Sequence, residues 1–327
     1  MHAQLDSSFT VSGYADAYYA YNFTEPGFRI IPYAYNHNRH NEFNVNNVII
    51  SLKYTKEKVR STVALHTGTY VNSNYINEPV ALRFINEANV GIRLAKKIWL
   101  DAGIMPSHIG LETAISKDCW TLTRSLNVEN APYYEAGAKL TFQPAKKWTL
   151  SALVLNGWQN IAENNSNKAA GTQIQFSSDK LLLNYSTFIG EAGNLPDQLF
   201  LLRHFHNLYL TYTISKRVSL ASVLDIGFQE RSTVDRTFAT WYAPSLLIRY
   251  KFHEKFRGCF RAEYFEDPEN VIRGTIAGFS LNLDYLPVEN AALRLEGRTF
   301  PSLGPKDEIT EDSFLNSTVT VSLAVSF

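Results

Sequence analysis

The amino-acid sequence predicts an all-β protein, a transmembrane antiparallel up-and-down β-barrel of sixteen strands. Three observations carry this. Apolar and polar residues alternate with a period of two in one segment after another. Short polar turns and longer polar loops take turns between these segments. The composition, with 20 Phe, 18 Tyr and 5 Trp against 2 Met and 2 Cys in 327 residues, suits strands and membrane interfaces.

Other classes fall away early. Lysine and arginine number 31 and aspartate and glutamate 31, so no field of one sign would gather nucleic acid, which is not expected as a partner. A membrane helix needs roughly 18 uninterrupted apolar residues, and the greasiest stretches, VALRFI and LFLLRHF, are each broken by an arginine. The opening MHAQLDSS lacks an apolar signal core, and His2-Ala3-Gln4 reads as the remnant of a small-residue cleavage site behind an added Met1. Residues 1–7 are therefore expected to be a short remnant left after export with a cleaved signal peptide, and 8–327 a single barrel domain.

In order, strand 1 is FTVSGYADAYYAY from Phe9, strand 2 covers Asn44 to Tyr54, strand 3 Val59 to Val71 and strand 4 Phe84 to Ala95. Strand 5 is IWLDAGIM from Ile98, strand 6 runs from Tyr133 to Phe142 and strand 7 from Trp148 to Trp158. Strands 8 and 9, TQIQFS and LLLNYSTFI, meet at the turn Ser177-Ser178-Asp179-Lys180. Strands 10 and 11, NLYLTYTI and VSLASVLDIGF, meet at Ser215-Lys216-Arg217, and strands 12 and 13, YAPSLLIRYKF and FRGCFRAEYF, at His253-Glu254-Lys255. Strands 14 and 15 join at Pro287 to Asn290, and strand 16 is LNSTVTVSLAVSF. Loop 5, EAGNLPDQLF, has an ambiguous apolar end.

One face of each strand is apolar. Leu208, Leu210, Tyr212 and Ile214 alternate with Tyr209, Thr211 and Thr213, and Val319, Val321, Leu323, Val325 and Phe327 with Thr318, Thr320, Ser322 and Ala324. A soluble sandwich alternates as well, but strands 13 and 15 would then direct Arg257, Arg261, Glu263, Arg294, Glu296 and Arg298 to one side and a broad apolar face to the other. A barrel in lipid satisfies both faces, apolar outward and charged toward a wet lumen. Turns of about two to five residues follow even strands and loops of about seven to twenty-five follow odd ones, so both termini are expected on the periplasmic side with the short turns. Aromatics mark two girdles: Tyr54, Phe142, Trp148, Tyr250, Phe252, Phe256 and Tyr285 near the turns, and Tyr18, Phe43, Tyr242, Tyr264 and Phe279 toward the loops.

The opening TVSGYADAYYAYN, the central TLTRSL with NAPYYEAGAKLTF and LSALVLNGWQN, and the closing VSLAVSF resemble the OmpL-like β-barrel porin family over nearly the full length. The resemblance implies a Gram-negative outer-membrane location and pore function, and names no substrate. The aromatic Phe327 at the end resembles the ending that barrel-assembly machinery reads.

The expected function is passive diffusion of small polar solutes and ions through a water-filled lumen. The longest internal connection, loop 3 at residues 106–131, is patterned enough to fold inward and narrow the pore, with Glu112, Asp118, Arg124 and Glu129 offering charge to the lumen. A cap packed on neighbouring loops is the alternative. On the wall, Glu87, Asp101 and Glu135 stand about nine strands from Arg261, Arg294 and Arg298, which would set a transverse field across a ring of sixteen. Local pairing of those arginines with Glu263 and Glu296 is the competing arrangement.

Cys119 and Cys259 lack metal-ligand spacing and read as free thiols, although a bridge tethering loop 3 is conceivable. His204 and His206 share a face two residues apart but have no third ligand, so neither metal nor cofactor is expected. The acids Asp307, Glu308, Glu311 and Asp312 of loop 8 read as solvated, with divalent-cation binding at a lipopolysaccharide surface as the other reading. A substrate-specific or gated channel is the runner-up. A barrel lipase or protease ranks lower, since GxSxG and HExxH are absent and lumenal His66 is only a loosely placed candidate. A carrier of hydrophobic solutes would need an N-terminal plug, and strand 1 begins too early for one. Outer-membrane lipid, lipopolysaccharide and small polar solutes are the expected partners, and the sequence leaves a homo-oligomer open.

Overall fold

The computed structural model of the protein describes residues 8–191, 201–232, 234, 236–272, 274–301 and 316–327. Sixteen strands follow one another: β1 Phe9–Asn22, β2 Phe43–Lys56, β3 Val59–Thr67, β4 Ile85–Ala95, β5 Ile98–Pro106, β6 Tyr134–Ala145, β7 Trp148–Leu155 and β8 Ala169–Ser177. The second half comprises β9 Leu181–Glu191, β10 Leu202–Thr213, β11 Val218–Glu230, β12 Phe238–His253, β13 Phe256–Phe265, β14 Ile276–Tyr285, β15 Ala291–Thr299 and β16 Ser317–Ser326. Each pairs antiparallel with its neighbours in sequence, and β1 pairs with β16, Tyr14 opposite Ser326 and Asn22 opposite Thr318. The barrel is closed, so the described strands leave no sheet edge with unpaired backbone groups.

The faces are inverted relative to a soluble core. On β16, Val319, Val321 and Leu323 are 40–52% exposed while Thr320 and Ser322 are 1% exposed. The same inversion on β12 leaves Tyr242, Leu246 and Ile248 outside and Trp241, Ser245 and Leu247 inside. Among the described residues no helix is long and apolar enough to cross a membrane; an outward apolar band on paired strands is the arrangement that lipid accommodates. Tight turns close the hairpins on one rim, as at Glu57-Lys58, where Glu57 takes a φ of 49°.

Strand 3 is shorter than expected. It ends at Thr67, and the chain turns inward at Gly68, whose φ of 139° and close approach to the Asn46 carbonyl leave no room for a Cβ. Helix α1, Thr69–Asn74, follows with Tyr70 and Val71 buried, so the apolar residues read as a strand end instead pack inside the barrel mouth. Strand 7 likewise ends at Leu155 rather than Trp158, whose ring packs edge-on against Phe188 and Phe205. Tyr18 does not belong to an aromatic girdle. It is 3% exposed, and its hydroxyl lies 3.0 Å from that of Thr69. Residues 1–7, the apolar end of loop 5 and the acids Asp307, Glu308, Glu311 and Asp312 lie outside the described residues.

Candidate functional site

Residues 107–133 leave the rim after β5 and run inside the barrel, because the inward faces offer them a continuous set of partners. At the start, His108 Nδ1 lies 2.8 Å from Glu135 Oε1 and Nε2 lies 2.9 Å from the Thr187 carbonyl, while the His108 carbonyl accepts hydrogen bonds from Gln173 and Ser186. The Gly110 amide donates to Asn207 at 3.1 Å. Farther on, the amides of Leu122, Thr123 and Leu126 donate to Asn282, Glu296 and Glu263 at 3.0, 2.5 and 2.7 Å. The short helix α2, Leu126–Glu129, places Asn127 against Asp225 and the Ala243 carbonyl. Ser116 meets Asp16 at 2.8 Å, and Asp16 also holds His37 of the first loop at the same distance. Backbone donors that a buried loop would otherwise leave unpaired are thus met by wall side chains.

The arginines of β13 and β15 complete this support. Arg261 donates to Thr121 Oγ1, the Thr123 carbonyl, Thr123 Oγ1 and Glu296, all within 3.0 Å. Arg294 pairs with Asp284 at 2.7 Å and donates to the carbonyls of Ser116 and Cys119. Arg298 pairs with Glu263 at 2.7 Å. Across the barrel, Asp101 accepts Arg60 at 2.7 Å and Glu135 holds His108. Of the six wall residues expected to form a transverse field, five are therefore paired locally; Glu87 makes no ion pair among the described residues.

The four charged residues of the crossing segment divide as well. Arg124 is fully buried, donating to the carbonyls of Thr113 and Leu122. Glu112 accepts the amide and hydroxyl of Ser125, and Glu129 accepts the Tyr35 amide. Asp118 alone of the four is exposed. Cys119 and Cys259 are free buried thiols, which removes the conceivable bridge. His204 and His206 share the outward face with Leu208; His206 Nδ1 lies 2.7 Å from the Tyr185 hydroxyl, and among the described residues no cluster of three metal-ligating groups occurs. His66 is enclosed, with Nε2 2.9 Å from the Arg83 carbonyl.

Open space lies on the other side of the segment, toward β1–β6. A cavity of about 540 Å³ is bordered by Ile49, Lys53, Glu87, Ile115, Lys117 and Asp118, and also reaches the end of β16 and the turn after β14. A second, of about 210 Å³, shares Ile49, Glu87, Ile115 and Asp118 with it, and a third, of about 340 Å³, shares Lys53 and Glu87 and reaches Arg60, Asp101 and Lys139. Glu87 borders all three. Tyr134 borders both the second cavity and a fourth, of about 220 Å³. Around the first three, Lys53, Lys117 and Lys139 stand with Glu87, Asp118 and Glu289 and form no ion pair with them. Sequence reading missed all three lysines and Glu289. The strand alternation carries the signal for two of them, since Lys53 shares parity with Ser51 on β2 and Lys139 with Glu135 on β6.

A closed barrel of sixteen strands with a polar interior and an apolar exterior defines the porin class of outer-membrane protein. The family model "Putative beta-barrel porin-2, OmpL-like" matches residues 8–327, and the chain belongs to that family. No curated protein matches it. Among solved structures it is similar in fold to OmpF of Salmonella typhi, in complex with daunomycin, at 14% identity and a TM-score of 0.63, covering 98% of this chain and 97% of that one. The anion-selective porin from Comamonas acidovorans is similar at 9% identity and a TM-score of 0.63, covering 98% and 100%. OmpT of Vibrio cholerae is similar at 9% identity and a TM-score of 0.61, covering 99% of each.

Proposed function

We propose that this outer-membrane porin conducts small polar solutes and ions passively, without catalysis, through an eccentric passage that residues 107–133 narrow against β2–β6. The observation that carries the reading is the cluster of three cavities that share Glu87 in their lining, combined with hydrogen bonds that hold the crossing segment to the far wall. Besides the paired Arg60 and Asp101, three lysines and three acids border the passage, so its ion selectivity is weak and set by which charges lie nearest the narrowest point. The short turns and both termini face the periplasm, the long loops meet lipopolysaccharide, and the chain reaches the membrane after signal-peptide cleavage.

The small cavities favour a second reading, a substrate-specific channel, since two fall below the size of a pocket for a drug-sized molecule and the third lies at its lower end. Planar-bilayer recording of the refolded protein tests conduction. Stable open steps in plain potassium chloride are expected; a folded barrel that never opens would overturn passive diffusion and leave a gated or substrate-specific channel.

A further inference from the structure

Arg203, the second residue of β10, turns inward on the loop side of the crossing segment and is 7% exposed. Arg261, Arg294 and Arg298 each meet a carboxylate. Arg203 meets none among the described residues. Its Nε donates to Gln229 Oε1 at 3.0 Å, and its guanidinium carbon lies 4.7 Å from the Trp158 ring centroid and 5.2 Å from that of Trp241. Nη1 and Nη2 have no acceptor among the described residues. A buried cation flanked by aromatic rings is stabilised by their π faces, but its charge and free N–H groups still favour an anion.

The surroundings hold this group in place. Trp158 is packed edge-on against Phe188 and Phe205. The Trp241 ring lies where a Cβ of residue 227 would be, so only the glycine present there admits it. Gln159, beside Trp158, takes a φ of 110°, a conformation non-glycine residues rarely adopt, and its amide is fixed by the Tyr133 amide at 2.7 Å and by Asn74 at 3.1 Å. Arg203, Trp158, Gln159, Asn160 and Asn77 border the cavity of about 220 Å³. It combines one preorganised cation, one carboxylate at Glu129, neutral amides and an indole.

The geometry points to a binding site for a small monocarboxylate on the loop side of the lumen, with Arg203 contacting the anion. With Nε engaged by Gln229, the Nη edge remains, and a planar carboxylate matches it with two parallel N–H···O bonds. Glu129 borders the same cavity, which disfavours dianions such as sulfate. The volume lies below that of pockets for drug-sized ligands, so the solute is small. The amides supply hydrogen bonds to its polar substituents. This is a claim about binding, and it stands apart from conduction.

The test is an equilibrium titration of the full chain, folded in detergent, with sodium propionate replacing chloride at constant ionic strength, read by tryptophan fluorescence. Trp158 and Trp241 report on binding because both pack against the Arg203 guanidinium, and Trp158 also borders the cavity. A saturating change is expected, abolished by Arg203→Gln and weakened about tenfold by Arg203→Lys, which keeps the charge and loses the fork. Circular dichroism establishes that each variant is folded, and the lysine variant serves if the glutamine one is not. A linear response in the wild-type protein would overturn the site, as would saturation that both variants retain. Saturation by sulfate at lower concentration than propionate would overturn the monocarboxylate preference.

Discussion

Arg261 on β13 and Lys53 on β2 both point into the barrel, yet Arg261 is fully buried with four hydrogen bonds, whereas Lys53 borders open space. The same contrast separates Glu263, which holds Arg298 and the Leu126 amide, from Glu87, which holds no cation among the described residues. On the β13–β15 wall, charge supports a segment that crosses the lumen. On the β2–β6 wall, Lys53, Glu87 and Lys139 border cavities, while Glu135 holds the start of the segment through His108. The inward position of a charged residue therefore does not make it pore-lining; the backbone donors and acceptors brought up against it decide.

The largest effect expected from breaking this contrast is at Glu263. Glu263→Ala leaves Arg298 and the Leu126 amide without their carboxylate, and losing one partner of a buried ion pair costs about 3–5 kcal/mol. Urea unfolding should record that loss, with conductance rising as the crossing segment loosens. Next comes Leu210→Arg, on the outward face of β10, at roughly 2–4 kcal/mol if it sits near mid-depth, against little for inward Thr211→Arg, which should change conductance instead. Equal tolerance at the two positions would break the register.

A smaller effect depends on pH. Burial lowers the affinity of His108 for a proton, but the adjoining Glu135 carboxylate outweighs it and holds the imidazole above its ordinary value of about 6.5. A raised value in the folded state means that the anchor stabilises fully below the unfolded value and is lost as pH rises through the folded one. The difference in urea midpoint between wild type and His108→Gln should therefore shrink from acid toward alkaline pH. A constant difference would show that the pair does not change charge. The smallest effect on stability is expected at Glu87→Lys, within about 0.5 kcal/mol, since Glu87 holds no buried partner.

The barrel was legible because period-two alternation and the turn rhythm each report a constraint that every strand shares. Tyr18 shows the limit. It lies between Ala17 and Tyr19 in a run of aromatics, and its partners Thr69, His37 and the Arg39 amide, farther along the chain, reveal the inward face. The stop at Gly68 was hidden because Thr69, Tyr70 and Val71 are as acceptable in a strand as in the buried helix they form. Inward folding of residues 107–133 could be read from length and patterning, but which wall it rests on follows from single pairs such as Leu122 with Asn282 and Thr123 with Glu296, more than 150 residues apart. Local pairing of Arg298 was open in the sequence for the same reason, since Glu263 served equally well as a charge or as a strut.

The most direct test of an eccentric passage along β2–β6 is the reversal potential of Glu87→Lys in a potassium chloride gradient, measured beside the wild-type protein in planar bilayers. The charge reversal should move the potential toward anion selectivity, because Glu87 borders three neighbouring cavities. An unchanged reversal potential in a folded, conducting variant would place the passage elsewhere and contradict the account.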